Sequence, residues 1–583
     1  MKPSRNALRP VLLAIAVVLA MAVCSEAGLN VDKGSAGAAS PPEKSRPTAP
    51  HEVLDDPPPP PGARDARPRT SPAPIWTRDS FQSIQVNVDA AGDDILGDAA
   101  NEPSIAVDPT NPDKIVIGWR QFDTVASNFR EAGWGYSHDG GMTWTFPGVL
   151  QEDVFRSDPV LEADADGNIY YYSLYYNSGS YSCQMFKSTD GGVTWLGPIE
   201  AFGGDKAWMA IDRTGGIGHG HIYAAWDYAG CCGNNWFTRS MDGGLSYDDP
   251  VPIPQQPIWG VTSVGPNGNV YTAGRRRTTY EEFIVVRSST LQNPLLPPAF
   301  QGAVEVALGG SLVYMDAPNP NGLLGQVWVA TDHSDGPSRG NVYLLCSVAP
   351  FTGTDPLDVM FARSTDGGLS WSLPIRVNDD PAGTDAWQWF GTMAVAPSGR
   401  IDVIFNDTRN TGVDNLSELF YTYSTDTGLT WSENIPISPV FNSHDGWPSQ
   451  NKLGDYYDMV SDEAGAKVAY AATFNGGQDI YYLRIAIDCN ENGIHDGDDL
   501  ATGTSQDVNN NAIPDECEGL SDLNEDGVVD LDDFAMFKYC LAGPDFTFLP
   551  TGCSEQEFAA TDLDDDNDVD AFDFAVFALH YTD

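Results

Sequence analysis

Between Phe81 and Ile485 the chain repeats one phrase: a short apolar run, a polar turn, then a second run rich in Tyr, Val or Ala. Examples are Pro103-Ser-Ile-Ala-Val107 with Lys114-Ile-Val-Ile-Gly118, and Trp208-Met-Ala-Ile211 with His221-Ile-Tyr-Ala-Ala225. Runs this short, broken by Gly, Asp and Asn, predict strands rather than helices. Further units begin near Pro159, Gly260, Gln326, Phe390 and Tyr457, at spacings of roughly 50 to 67 residues, near the length of one four-stranded propeller blade. The pattern predicts an all-β ring of seven blades over residues 78–486, with six as the alternative. The seventh unit ends at Tyr481-Tyr-Leu-Arg484 without an outer strand. The isolated stretch Phe81-Gln-Ser-Ile-Gln-Val-Asn-Val88 matches that missing strand, so the N-terminal segment is expected to close the ring and cover an exposed edge.

A sharper motif marks the turns. It reads Ser137-His-Asp139-Gly-Gly-Met-Thr-Trp144, Ser188-Thr-Asp190-Gly-Gly-Val-Thr-Trp195, Ser240-Met-Asp242-Gly-Gly-Leu-Ser-Tyr247, Ser364-Thr-Asp366-Gly-Gly-Leu-Ser-Trp371 and Ser424-Thr-Asp426-Thr-Gly-Leu-Thr-Trp431. A Ser and an Asp two residues apart bond nearby backbone N–H groups and close a hairpin. The glycines permit positive φ, and the Trp is expected to pack beneath its own turn. The fourth unit has only Arg287-Ser-Ser-Thr290 in this place. These five copies resemble the Asp-box (BNR) repeats of sialidases and related propellers. Repetition around a ring marks them as structural parts rather than catalytic aspartates.

After Ile485 the composition changes: Lys538 is the only Lys or Arg, amid Asp, Asn and Gly. Asp522, Asn524, Asp526, Asp530 and Asp533 stand at positions 1, 3, 5, 9 and 12 of an EF-hand-like loop, with Gly527 at position 6. Asp562, Asp564, Asp566, Asp570 and Asp573 repeat the register, with Asn567 in place of the glycine. Each loop runs into an apolar, helix-like segment, Phe534-Ala-Met-Phe537 and Phe574-Ala-Val-Phe577. This duplicated loop-helix, 520–583, resembles a type I dockerin, which implies Ca2+ and a cohesin-like receptor. Upstream, in 487–519, Asp488, Asn490, Asn492, Asp496 and Asp499, then Asp507, Asn509, Asn511, Asp515 and Glu518, follow the same spacing and resemble thrombospondin type-3 calcium repeats.

Charge and cysteines narrow the setting. A net charge of -51 excludes nucleic acid and anionic membrane surfaces as partners, and favours divalent cations. Lys2, Arg5 and Arg9, the apolar run Val11 to Ala22, and small residues at Ala20-Met-Ala22 read as a signal peptide over 1–27, too short to span a bilayer. Export to the medium or cell surface follows. The Pro-rich stretch 28–77 reads as a spacer. Eight cysteines remain, an even number that in an exported chain favours disulfides. Cys489–Cys517 and Cys540–Cys553 are the preferred tail pairs, while Cys183, Cys231, Cys232 and Cys346 cannot be paired from sequence.

Propeller ligands sit over the funnel where inner strands begin. Strand starts offer Glu102, Asp158, Asp205, Lys206, Gln388 and Asp455; second-strand ends offer Arg120, Asp227, Arg275, Asp407 and Arg409. The sialidase resemblance implies a three-arginine clamp at Arg120, Arg275 and Arg409, a Tyr280–Glu281 nucleophile pair, and Asp158 as acid. Two departures stand against it: seven blades rather than six, and no Phe-Arg-Ile-Pro phrase before the first box. A second reading, by resemblance to xyloglucanase propellers, makes Asp158 and Asp455 acid and base on a neutral polysaccharide. A third is a non-catalytic scaffold that binds glycan or protein. All three direct the chain at an extracellular glycan or polysaccharide, or at a protein in its place.

Overall fold

The computed structural model describes residues 56–58, 69–177 and 179–486, and in the tail 503–505, 523, 531–543, 549–550, 552–554, 558, 561, 568–570, 573–574 and 577. Residues 1–48 lie outside the described residues. So do the expected signal peptide, the thrombospondin-like ligands with Cys489–Cys517, and Asp522, Asn524, Asp526, Asp530, Asp562, Asp564 and Asp566.

Seven antiparallel sheets follow one another along the chain as blades 1 to 7. Blade 1 is Ala99–Val107, Ile115–Phe122, Glu131–Ser137 and Thr145–Val149, paired in that order from the axis outward. The inner strands of blades 2 to 7 are Arg156–Ala163, Trp208–Ile211, Thr262–Val264, Trp328–Thr331, Gln388–Val395 and Asp458–Asp462. Nearly every residue of the first two strands in blade 1 is buried, as expected of sheets covered on both faces by neighbouring blades. Phe81–Gln85 pairs antiparallel with Asp479–Ala486, Ser83 opposite Leu483, so the N-terminal segment supplies the outer strand of blade 7. Strand pairing reaches into the stretch read as spacer. Trp76–Arg78 adds a fifth strand to that blade, and Trp76 packs 5.5 Å from Phe474.

The Ser-x-Asp turns join third to outer strands. Ser137 Oγ donates to Asp139 (2.7 Å) and accepts from Gly141 N (2.9 Å), while Asp139 Oδ1 accepts from Thr143 N (2.9 Å). Ser364, Asp366, Gly368 and Ser370 repeat these bonds at 2.8–2.9 Å. In the fourth blade Ser288 keeps the serine role alone, its Oγ accepting from Leu291 N (3.2 Å). The Trp does more than cap its own hairpin. Trp144 bonds Gly141 O (3.0 Å), but its ring rests on Tyr482 of blade 7, and Trp431 rests on Phe361 of blade 5. These two side chains tie their turns to the preceding blade.

In the tail, the helix Leu531–Cys540 carries Phe537 onto Phe577 (5.1 Å between rings), with Cys540 and Val569 completing a small core. The Cys540–Cys553 disulfide forms as expected. In the propeller, whose four cysteines could not be paired from sequence, Cys231 bonds its own neighbour Cys232, whereas Cys183 and Cys346 are buried free thiols. Cys183 stands in blade 2 and Cys346 in blade 5, so the two do not pair with each other.

Candidate functional site

Five of the blades share a device near the start of the inner strand. Glu102, Asp158, Lys206, Trp259 and Phe390 all hold positive φ, and the ladder slips at the bulge in blades 1, 2 and 6. Such bulges re-aim side chains, here toward the axis. The result is a charge cluster. Lys206 Nζ reaches Asp455 (2.7 Å) and Asp205 (3.1 Å); Lys452 Nζ reaches the same Asp455 (2.6 Å) and Glu102 (3.2 Å). Arg120 Nε pairs with Glu102 (3.1 Å), and Asp158 accepts from the Lys206 backbone N–H (2.7 Å). Residues of blades 1, 2, 3 and 7 thus meet at one place.

The electrostatics divide these acids. Burial opposes ionisation of Asp455, yet Lys206 and Lys452 hold its carboxyl well below the usual range. Asp158 is likewise lowered, against burial, by Lys206 and Arg120. Burial pushes Glu102 up to about 7 despite Arg120 and Lys452, and Asp205 to about 7 with Asp158 adding repulsion.

This cluster does not face solvent. A hairpin inserted in blade 5, Tyr314–Asp316 with Asn319–Leu323, reaches across the mouth. Asn319 Nδ2 donates to Gly454 O (2.8 Å), Leu453 N donates to Asn319 Oδ1 (2.9 Å), and Leu323 N donates to Asp455 (2.8 Å). Glu102, Asp205 and Asp455 are fully buried beneath it.

The expected clamp arginines occupy three different settings. Arg120 belongs to the buried cluster. Arg275 is stacked between Trp259 (3.9 Å) and Tyr280 (4.1 Å), and its Nη1 donates to the carbonyls of Arg276, Arg277 and Thr279. Arg409 spends Nε on Asp407 (2.8 Å) and Nη1 on Asp379, above the ring of Phe420. Tyr280 shares a hydrogen bond with Tyr314 of the hairpin (3.1 Å), and Glu281 points to solvent. Asp158 and Asp455, the alternative acid and base, are joined through Lys206. Lys452 and the hairpin escaped the sequence reading. Both come from connections between repeat units, where no periodicity points to them.

The tail holds a second constellation. Carboxylate oxygens of Asp568, Asp570 and Asp573 lie within 4.8 Å of one another, and Asp570 N donates to Asp573 Oδ2 (2.7 Å). Oxygens bound to one calcium ion at about 2.4 Å are separated by distances of this order, so the donor set fits. Asp570 and Asp573 are the expected positions 9 and 12. Asp568, at position 7, was missed because that position ordinarily contributes a main-chain carbonyl.

Comparisons agree with the tail. The type I dockerin domain model matches residues 520–578. No curated protein matches the chain. Among solved structures, a protein of unknown function from Dyadobacter fermentans aligns with 15% identity and a TM-score of 0.41, over 70% of this chain and 98% of its own. An α-L-arabinofuranosidase from Fusarium graminearum, bound to an iminosugar inhibitor, aligns with 11% identity and a TM-score of 0.37, over 69% and 97%. Trypanosoma rangeli sialidase aligns with 10% identity and a TM-score of 0.36, over 72% of this chain and 60% of its own. Likeness this distant says nothing of chemistry. The chain is a seven-bladed β-propeller followed, at residues 520–578, by a type I dockerin domain.

Proposed function

We propose that this chain is an exported, calcium-requiring binding module: its dockerin attaches it to a cohesin-like receptor, and its propeller engages an extracellular glycan without hydrolysing it. The attachment half rests on the dockerin match and on the convergence of Asp568, Asp570 and Asp573. In this reading Asp562, Asp564 and Asp566 complete the second loop, and Asp522, Asn524, Asp526, Asp530 and Asp533 form the first. Calcium supplies the positive charge that lets these carboxylates approach; the chain supplies the oxygens and the phenylalanine core that fixes them. The Asn-rich repeats upstream are weaker sites of the same kind.

The non-hydrolytic half is carried by one observation: each expected clamp arginine is already engaged by other protein groups. A sialidase needs free guanidinium N–H groups to hold the substrate carboxylate. Assay of the full chain against a fluorogenic sialoside and a panel of plant polysaccharides, beside a glycan array, tests the idea. Array binding with no turnover is expected; turnover of any substrate would sink it. For the clamp itself, Arg409→Ala abolishes sialoside hydrolysis if such hydrolysis exists, and unchanged turnover removes that residue from the site.

A hydrolytic reading has one point in its favour. Glu102 and Asp205 near 7, beside depressed Asp158 and Asp455, is the split protonation that a two-carboxylate mechanism uses. Displacement of the blade-5 hairpin would be required to admit a sugar.

A further inference from the structure

The axis is blocked below the charge cluster. Two residues after Lys206, the Trp208 ring meets Trp328 edge-on at 5.3 Å and Tyr456 at 5.4 Å. Beneath this aromatic floor, at the opposite end of the inner strands, a cavity of about 760 Å³ is lined by all seven blades. That volume lies within the range of small-molecule pockets. Small side chains, Ala210, Ala330 and Ala394, keep the shaft open.

Charge in this cavity is unbalanced. Five carboxylates line it against Arg213, Lys467 and the His333 imidazole, which bonds the Val264 carbonyl. Lys467 is taken by Asp462. Among the described residues the one cation paired with Glu162 of blade 2 is Arg213 at 3.9 Å, itself 47% exposed, and the Ala163 backbone adds a hydrogen bond. Asp458 of blade 7 accepts hydrogen bonds from Ser104 Oγ (2.6 Å) and the Ile105 and Met459 N–H groups, and no ion pair reaches it among the described residues. Burial holds Glu162 above its ordinary value and Asp458 at about 7, with the charge of Glu162 adding to the latter. These are acids short of counter-charge.

We infer that this lower cavity is a binding site for a small organic cation, an alkyl- or quaternary ammonium, whose charge is met by Glu162 and Asp458 and whose apolar groups rest on the alanine walls and the Trp208–Trp328 floor. Indole and carboxylate together attract such cations, and apolar walls accept their methyl groups. A divalent metal is a poorer fit, since it needs six to eight oxygens where this cavity turns mostly hydrocarbon toward its centre. The field of a chain carrying -51 charges draws cations toward the opening.

Calorimetry of the full chain at saturating calcium, which silences the tail, compares choline with its uncharged isostere 3,3-dimethylbutanol. Choline binds, and the alcohol binds at least about tenfold more weakly, the order expected for a cation–π contact plus one carboxylate. Glu162→Gln weakens choline by about tenfold and leaves the alcohol unchanged. Ala394→Phe, which fills the shaft without altering charge, removes both; it stands in should the first variant fail to fold, with circular dichroism as the check. Absence of choline binding, equal binding of the two probes, or indifference to both variants would each overturn the assignment. So would a choline signal that appears only when calcium is withheld, because a metal would then own the cavity.

Discussion

In two of the turns the last glycine answers two demands. Gly141 has φ of 92°, and a Cβ there would lie 2.1 Å from the Tyr482 ring of blade 7. Gly428 meets Phe361 of blade 5 in the same way, at 2.2 Å. Gly141→Ala should therefore destabilise the propeller by about 2–4 kcal/mol, from strain and overpacking together. Thermal melting measures it, and a loss below about 0.5 kcal/mol would show that the blades yield freely. The aspartates act by hydrogen bonding. Asp366 accepts from the Ser370 hydroxyl and backbone first, then from Ser364 and Leu369, which lowers its carboxyl to about 2. Because this residue is exposed, Asp366→Ala should cost only about 1 kcal/mol, roughly one net hydrogen bond. Positive φ was legible in the Gly-Gly pairs. Contact with the neighbouring blade was not, because residues in the motif cannot say what lies opposite them.

At the scale of elements, the blade-5 hairpin decides what the funnel mouth can do. Asn319 alone makes three bonds there, to Leu323 O, Gly454 O and the Leu453 N–H. Asn319→Ala should loosen this cover. Amide hydrogen exchange of residues 452–456 is expected to quicken by about tenfold or more, while the strands of blade 2 keep their protection. Unchanged exchange would mean that the cover is held elsewhere. The closing strand was predictable because an unpaired blade edge and an orphan strand were both visible. The hairpin was not, since it belongs to no repeat.

For the whole molecule, the pH response follows from burial. Glu102, Asp205, Asp458 and Asp479 are each pushed up to about 7, chiefly by desolvation. In the unfolded chain such groups lose their protons near pH 4, whereas the folded state keeps them until about 7. Across that window the native state binds more protons, so stability should fall as pH rises. The depressed Asp158 and Asp455 act in the opposite sense only below about 4. The main thermal transition is thus expected to be higher near pH 5 than near pH 7.5 at constant ionic strength. A flat or rising profile would count against buried protonated acids. The tail is expected to respond to metal instead: chelation, or Asp570→Ala with Asp573→Ala, should abolish capture of the full chain by a cohesin while the propeller melts unchanged.

Repetition explains what could be read in advance. Seven units and five Ser-x-Asp turns are local patterns, and local hydrogen-bonding chemistry fixes what each must become. The charged residues at strand starts were also visible, Glu102, Asp158, Lys206 and Asp455 among them. Which of them pair, whether a hairpin seals them from water, and that an acid-lined cavity opens at the other end depend on contacts between residues up to hundreds of positions apart. Only closure of the ring brings those side chains together, and their ionisation follows from the solvent that closure removes.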